Sequence, residues 1–236
     1  MVEKEIFIFG LRRSGNHAIV HWLVGLFQDR HPTIRNDCVF HHFFVNNQPL
    51  PLSNIPMAPS FGNTQVISFE SQEAMLYDET LLDPTKRKAK KKPIIVHRDP
   101  FNWMASTRAI SYIYGHKEEN FDHLVDLWIL YAKKFFIEKP DLAYTVKFNQ
   151  WKNEEYRRKL AEYIEEPFSD TGLNWIKGPV QGGPGSSFDM ATYDGRAQEM
   201  ALEDRWKGLD NRAKKIFDEK PELRILSKQI FDFCPF

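Results

Sequence analysis

Gly10-Leu11-Arg12-Arg13-Ser14-Gly15-Asn16-His17 is the segment of this chain best suited to gripping an anion. Its glycines have the G-x-x-x-x-G spacing of a phosphate-cradling loop, with two arginines and a serine between them. In such a loop successive backbone N–H groups turn toward one anion, and a following helix adds the positive end of its dipole. The side chains an NTPase needs next are replaced: Asn16 stands where the Lys would be, and His17 where a hydroxyl would ligate Mg²⁺. The loop therefore suits an oxyanion held without a metal, with Arg12, Arg13, Ser14, Gly15, Asn16 and His17 as its cradle. On spacing alone, an ordinary strand-to-helix turn with two exposed arginines fits equally well.

The second chemical segment is His97-Arg98-Asp99-Pro100-Phe101-Asn102-Trp103-Met104-Ala105-Ser106. It places an Arg at the carboxyl end of an apolar strand, the edge where open α/β sheets bind ligands. Ser106 falls in the first turns of the next helix, so an Arg fork and a hydroxyl can converge on a second phosphate. A salt bridge from Arg98 to Asp99 is the plainer alternative.

The elements that must position these residues are legible in outline. Ile6–Phe9 is a short apolar run ending at Gly10, the pattern of a strand buried on both faces. Ile19, Trp22, Leu23 and Leu26 recur at helical spacing behind the loop. Strands are expected at Val39–Val45, at Gln65–Phe69 ending on Glu70, at Ile94–His97 and at Ala143–Phe148. Helices are expected within 71–83, from Asn102, over Phe121–Ile137, over Glu154–Ile164 and in pieces over 196–233. Buried strands alternating with helices predict an α/β fold, with a mostly parallel central sheet flanked by helices. The 236 residues suit one domain spanning 1–236.

Composition narrows the function classes. Lys+Arg and Asp+Glu are each 32, so the phosphate-neutralising surplus of a nucleic-acid binder is missing. The chain is 42% hydrophobic, which argues against disorder. The longest mostly apolar stretch, Ala18–Phe27, is shorter than the roughly 20 residues of a membrane span and contains His21. The opening Met1-Val2-Glu3-Lys4-Glu5 does not resemble a signal peptide, and two distant cysteines, Cys38 and Cys234, suggest no disulfide framework. A cytoplasmic location is the expectation. Cys38, His41 and His42 are too few convergent ligands for a zinc site, so no metal is expected. The run Lys86–Lys92 reads as a solvated loop rather than a polyanion site.

Arg13-Ser14-Gly15-Asn16-His17, leading to Trp22-Leu23, resembles the 5′-phosphosulfate loop of sulfotransferases. Arg98-Asp99-Pro100 through Ser106 resembles their 3′-phosphate motif. The pair is more specific than either alone and covers roughly the first 110 residues. The resemblance implies a P-loop-like α/β sheet and the sulfuryl donor 3′-phosphoadenosine 5′-phosphosulfate (PAPS). It also implies metal-independent, in-line transfer to a hydroxyl or, second, an amine. The acceptor would be a small molecule or a carbohydrate, not a nucleic acid. Two departures stand out. Many members have Lys where Arg13 stands, and Arg can stabilise charge on the leaving oxygen but hardly donate its proton. Thr or Ser is common where Asn16 and His17 stand.

Transfer also needs a general base. Members often carry it at the end of the strand before the 3′-phosphate motif, which here is Glu70; His41 and His42 rank second. Alternating strand geometry lets at most one of the two histidines face the site. A surface carboxylate is the plainer reading of Glu70. Trp103, Phe148 and Trp151 are candidates to sandwich the adenine, although large aromatics are more often core. The family closes a glycine- and cation-bearing C-terminal loop over the 3′-phosphate. Gly182–Ser187, through Ser186 and Ser187, is the candidate here, without the usual Arg-Lys-Gly run. Two rival functions remain: a divergent P-loop kinase or NTPase, and a nucleotide-binding module without turnover.

Overall fold

A computed structural model of the chain describes residues 4–30, 38–44, 64–70, 90–114, 121–176 and 192–236. Five parallel strands form one sheet in the order β2-β3-β1-β4-β5. These are β1 (Lys4–Gly10), β2 (Cys38–Phe44), β3 (Thr64–Glu70), β4 (Lys90–His97) and β5 (Tyr144–Lys147). Alternation along each strand divides the apolar residues between two layers. Ile6, Ile8, Val66, Ile94 and Val96 pack beneath α1 (Asn16–Arg30) and α4 (Glu154–Tyr163). Phe7, Phe9, Ile67, Phe69 and Ile95 face α2 (Pro100–Tyr114), α3 (Phe121–Lys133), α5 (Asn211–Glu219) and α6 (Glu222–Phe231). The second layer is strongly aromatic: Phe7, Phe9 and Phe69 stack across β1 and β3, with Phe9 and Phe69 centroids 5.1 Å apart.

The α/β fold with a parallel sheet between helices is the one the sequence predicts. The helix leaving β1 covers one face and the helix leaving β4 covers the other, so a topological switch point lies between these two strands. Register then fixes the strand tips: Gly10 pairs with Glu70 on one side and Val96 on the other, and His97 pairs with Lys147. The carboxyl ends of β1, β3, β4 and β5 therefore form one edge.

Three elements differ from expectation. Regular α3 stops at Lys133 and widens into a π-helix over Lys134–Glu138, which buries Phe135. The periodicity alone runs on without showing that change of pitch. β4 begins at Lys90 rather than Ile94, so Lys90–Lys92 are strand, not loop. They lie beside Lys4–Ile6 at the end of the sheet opposite the strand tips. Glu165 answers their charge, within 2.6 Å of Lys90 and 3.1 Å of Lys92. Pro93 is tolerated because β5 pairs with β4 only from Ile94 onward. β5 itself is shorter than Ala143–Phe148, because Phe148–Gln150 turns into a 3-10 helix. The helix expected within 71–83 lies outside the described residues. No described helix is long and apolar enough to cross a membrane.

α1 is anchored along its length. Trp22 Nε1 donates to Asp170 Oδ1 at 2.9 Å, and Arg157 holds the same carboxylate through Nε and Nη2 at 2.9 and 2.8 Å. Gly25 and Gly172 let the backbones touch, since a Cβ on Gly25 would lie 2.2 Å from Gly172 N.

His97 is fully buried at the end of β4, its ring 4.6 Å from Trp128 and close to Tyr131, Phe136 and Phe231. Neither ring nitrogen has a hydrogen-bond partner among the described residues, and burial pushes its pKa down to about 3. The unfolded chain would take up a proton near pH 6.5 that the folded chain refuses, so stability falls as pH drops through that window. Between pH 7 and 5 His97 should contribute about 2 kcal/mol of this loss. Urea titrations at the two pH values are expected to show a shallower decline for His97→Phe.

Candidate functional site

The loop after β1 is built by backbone conformations few residues adopt. Arg13 has φ 70° and Gly15 φ 105°. A Cβ on Gly15 would also lie 2.3 Å from the Phe148 ring. Gly15→Ala should therefore cost about 1–3 kcal/mol of stability in chemical denaturation and distort the cradle. The turn closes through Ser14 N to Leu11 O at 3.1 Å and then opens directly into α1. Ser14 is fully buried, and its Oγ has no hydrogen-bond partner among the described residues. A buried hydroxyl beside a helix N-terminus can satisfy itself on an anion's oxygen.

Glu70 is not a surface carboxylate. It is 7% exposed, and its Oε1 lies 3.4 Å from Asn16 Nδ2 and 3.8 Å from His17 Nε2. His17 is held neutral, its pKa lowered to about 4 by burial and then by the nearby His21 and Arg13. His41 and His42 lie on β2, with backbone register opposite Ile67 and Ser68. They sit behind the tip that Glu70 occupies; their side chains lie outside the described residues. Ser186 and Ser187 also lie outside them.

At the tip of β4, Arg98 meets Ser106: Nη1 donates to Ser106 Oγ at 3.0 Å. Arg98 also donates through Nη2 to Leu202 O, and its guanidinium lies 5.5 Å over the Phe148 ring. Asp99 acts locally as the cap of α2. Its Oδ1 accepts from Asn102 N at 2.8 Å, and its Oδ2 from Asn102 Nδ2 at 3.0 Å and Asn149 Nδ2 at 2.8 Å. Pro100 at the first helical position completes the start.

Sequence reading missed Arg205. Its Nη1 donates to the same Ser106 Oγ at 3.1 Å. Arg205 opens a 3-10 helix over Arg205–Gly208, held against α2 by Trp206 N donating to Asn102 Oδ1 at 3.1 Å. The signal was present as Arg205-Trp206-Lys207-Gly208, a cation- and glycine-bearing run one residue looser than the pattern sought. Two guanidinium groups at one hydroxyl repel. Burial chiefly, and then Arg205, pull the Arg98 pKa down to about 9 against Asp99 and Glu203. An anion placed there would relieve that repulsion.

Of the adenine candidates, Trp103 and Trp151 are core. Trp103 is 1% exposed and ties the two motifs together through Nε1 to Arg12 O at 2.9 Å. Trp151 packs edge-on against Trp22 at 5.4 Å. Phe148, packed against Gly15 and beneath Arg98, is the one of the three that lies between the loop and the β4 tip.

No protein-family model matches the sequence, and no curated protein gives a significant match. Among solved structures, the chain is similar to the sulfotransferase domain from the Synechococcus PCC 7002 olefin synthase. The TM-score is 0.57 at 13% identity, covering 99% of this chain and 96% of that one. At that identity the likeness establishes the fold: a sulfotransferase-type α/β sheet.

Proposed function

We propose that the protein transfers a sulfuryl group from PAPS to a hydroxyl-bearing acceptor. The observation that carries this reading is the convergence of Arg98 and Arg205 on Ser106 beside a glycine loop that contains a further cation, Arg13. One anion pocket at each of two neighbouring strand tips suits a nucleotide phosphorylated at both ends of its ribose. Arg12, Arg13, the Ser14 hydroxyl and the N–H groups of Gly15, Asn16 and His17 take the 5′ end. Arg98, Ser106 and Arg205 take the 3′-phosphate, with 3′-phosphoadenosine 5′-phosphate (PAP) as the product.

In the transfer, a bond forms between the acceptor oxygen and sulfur as the bond from sulfur to the 5′-phosphate oxygen breaks. The acceptor proton passes to the Glu70 carboxylate. Negative charge grows on the departing phosphate oxygen, where Arg13 and the loop N–H groups stabilise it. The protein's own cations serve where an NTPase uses Mg²⁺. Thermal shift with PAP, with ATP-Mg²⁺ and with buffer separates the readings. Stabilisation by PAP that persists in EDTA supports PAPS use. Stabilisation by ATP-Mg²⁺ alone would favour a kinase. Stabilisation by PAP without transfer to any of a broad acceptor panel would favour a binding module.

A further inference from the structure

Asn16 and His17 stand where a phosphate loop ordinarily supplies a Lys and a hydroxyl, and in this structure both face one atom. Asn16 Nδ2 lies 3.4 Å and His17 Nε2 3.8 Å from the same oxygen, Glu70 Oε1. We infer that Asn16 and His17 are positioning residues that hold Glu70 by Oε1 and aim the carboxylate at the acceptor, while the backbone N–H groups of the same two residues receive the anion. The inference rests on the reading of Glu70 as the base.

Three features support it. Asn16 is 2% exposed, and its Nδ2 also donates to Leu11 O at 3.4 Å, so two acceptors set which way the amide points. Its Oδ1 lies over Gly10, where a Cβ would sit only 2.2 Å away, so the side chain occupies space that only glycine leaves. The His17 ring is neutral at working pH, held low by burial, His21 and Arg13. A neutral ring 3.8 Å away steers a carboxylate while drawing less on its proton affinity than a cation at the same place would. The arrangement links two events: the residues whose backbone would contact the donor nucleotide are those whose side chains set the base.

The test uses the full chain labelled with ¹⁵N-histidine and ¹⁵N-asparagine. The ring resonances of His17 and the side-chain amide resonances of Asn16 are followed in wild type, Glu70→Ala and Glu70→Gln, and PAP affinity is measured by calorimetry in wild type. The expected result is a neutral His17 with its proton on Nε2, and both sets of resonances shifted beyond the linewidth when Glu70 is removed. A proton on Nδ1, or His17 and Asn16 resonances indifferent to Glu70, would overturn the inference. The two Glu70 variants guard against a single one failing to fold. Failure of wild type to bind PAP would instead defeat the proposed function, and the spectra would still decide whether the two side chains hold Glu70.

Discussion

Replacing Arg98 with alanine is expected to weaken PAP binding by about ten- to a hundredfold, the loss of charge-assisted hydrogen bonds worth roughly 1.5–3 kcal/mol. The guanidinium is 3% exposed and reaches Ser106 Oγ and Leu202 O, so it cannot be replaced by a solvent-borne counterion. The fold should change less than the affinity. Ser106 and Leu202 lose a donor, but a desolvated cation facing Arg205 is also removed. Arg98→Lys should recover only part of the loss, because an ammonium cannot reproduce the planar fork. Calorimetric titration with PAP, beside a urea curve to confirm folding, checks all of this. Unchanged affinity in a folded Arg98→Ala protein would place the nucleotide elsewhere.

The second large effect belongs to Glu70→Gln. Removing a general base should lower turnover by about 10²–10⁴-fold. Gln is nearly isosteric, and its carbonyl oxygen can still accept from Asn16, so the loop should keep its shape and PAP affinity should hold. The signature is a fall in kcat with an unchanged KM for PAPS, the pattern of an interaction made in the transition state. Full activity in Glu70→Gln would transfer the base to another group, with His41 and His42 on the neighbouring strand tested next. A parallel loss of PAP affinity would make Glu70 part of the cradle's architecture instead.

The parts of this fold that the amino-acid order announces are those governed by local rules. Ile6–Phe9 and Ile94–His97 are short apolar runs ahead of a Gly or an Arg, and both are buried strands whose tips lie where the two motifs need them. Arg98 and Ser106 are eight positions apart across a capped helix start, so their meeting follows from helix geometry. The start of β4 was hidden, because Lys90–Lys92 carry charge that only pairing with Glu165 makes comfortable in a strand. Glu70 was placed correctly at a strand end but looked exposed, because its burial depends on the β1 loop packing over it. Arg205 was overlooked, although its Arg205-Trp206-Lys207-Gly208 run was there to read, for the same kind of reason. Nothing near it in sequence points to Ser106; Trp206 N on Asn102 carries the segment there from a distant part of the chain.

That last connection bears on when the protein could first hold a ligand. Trp206 and Asn102 are 104 residues apart, and Arg205 reaches Ser106 across a similar span. A ribosome making this chain would release Ser106 about a hundred residues before the second arginine that binds it. A chain cut short before Arg205 would keep Arg98 on Ser106 but lack the second guanidinium at that hydroxyl.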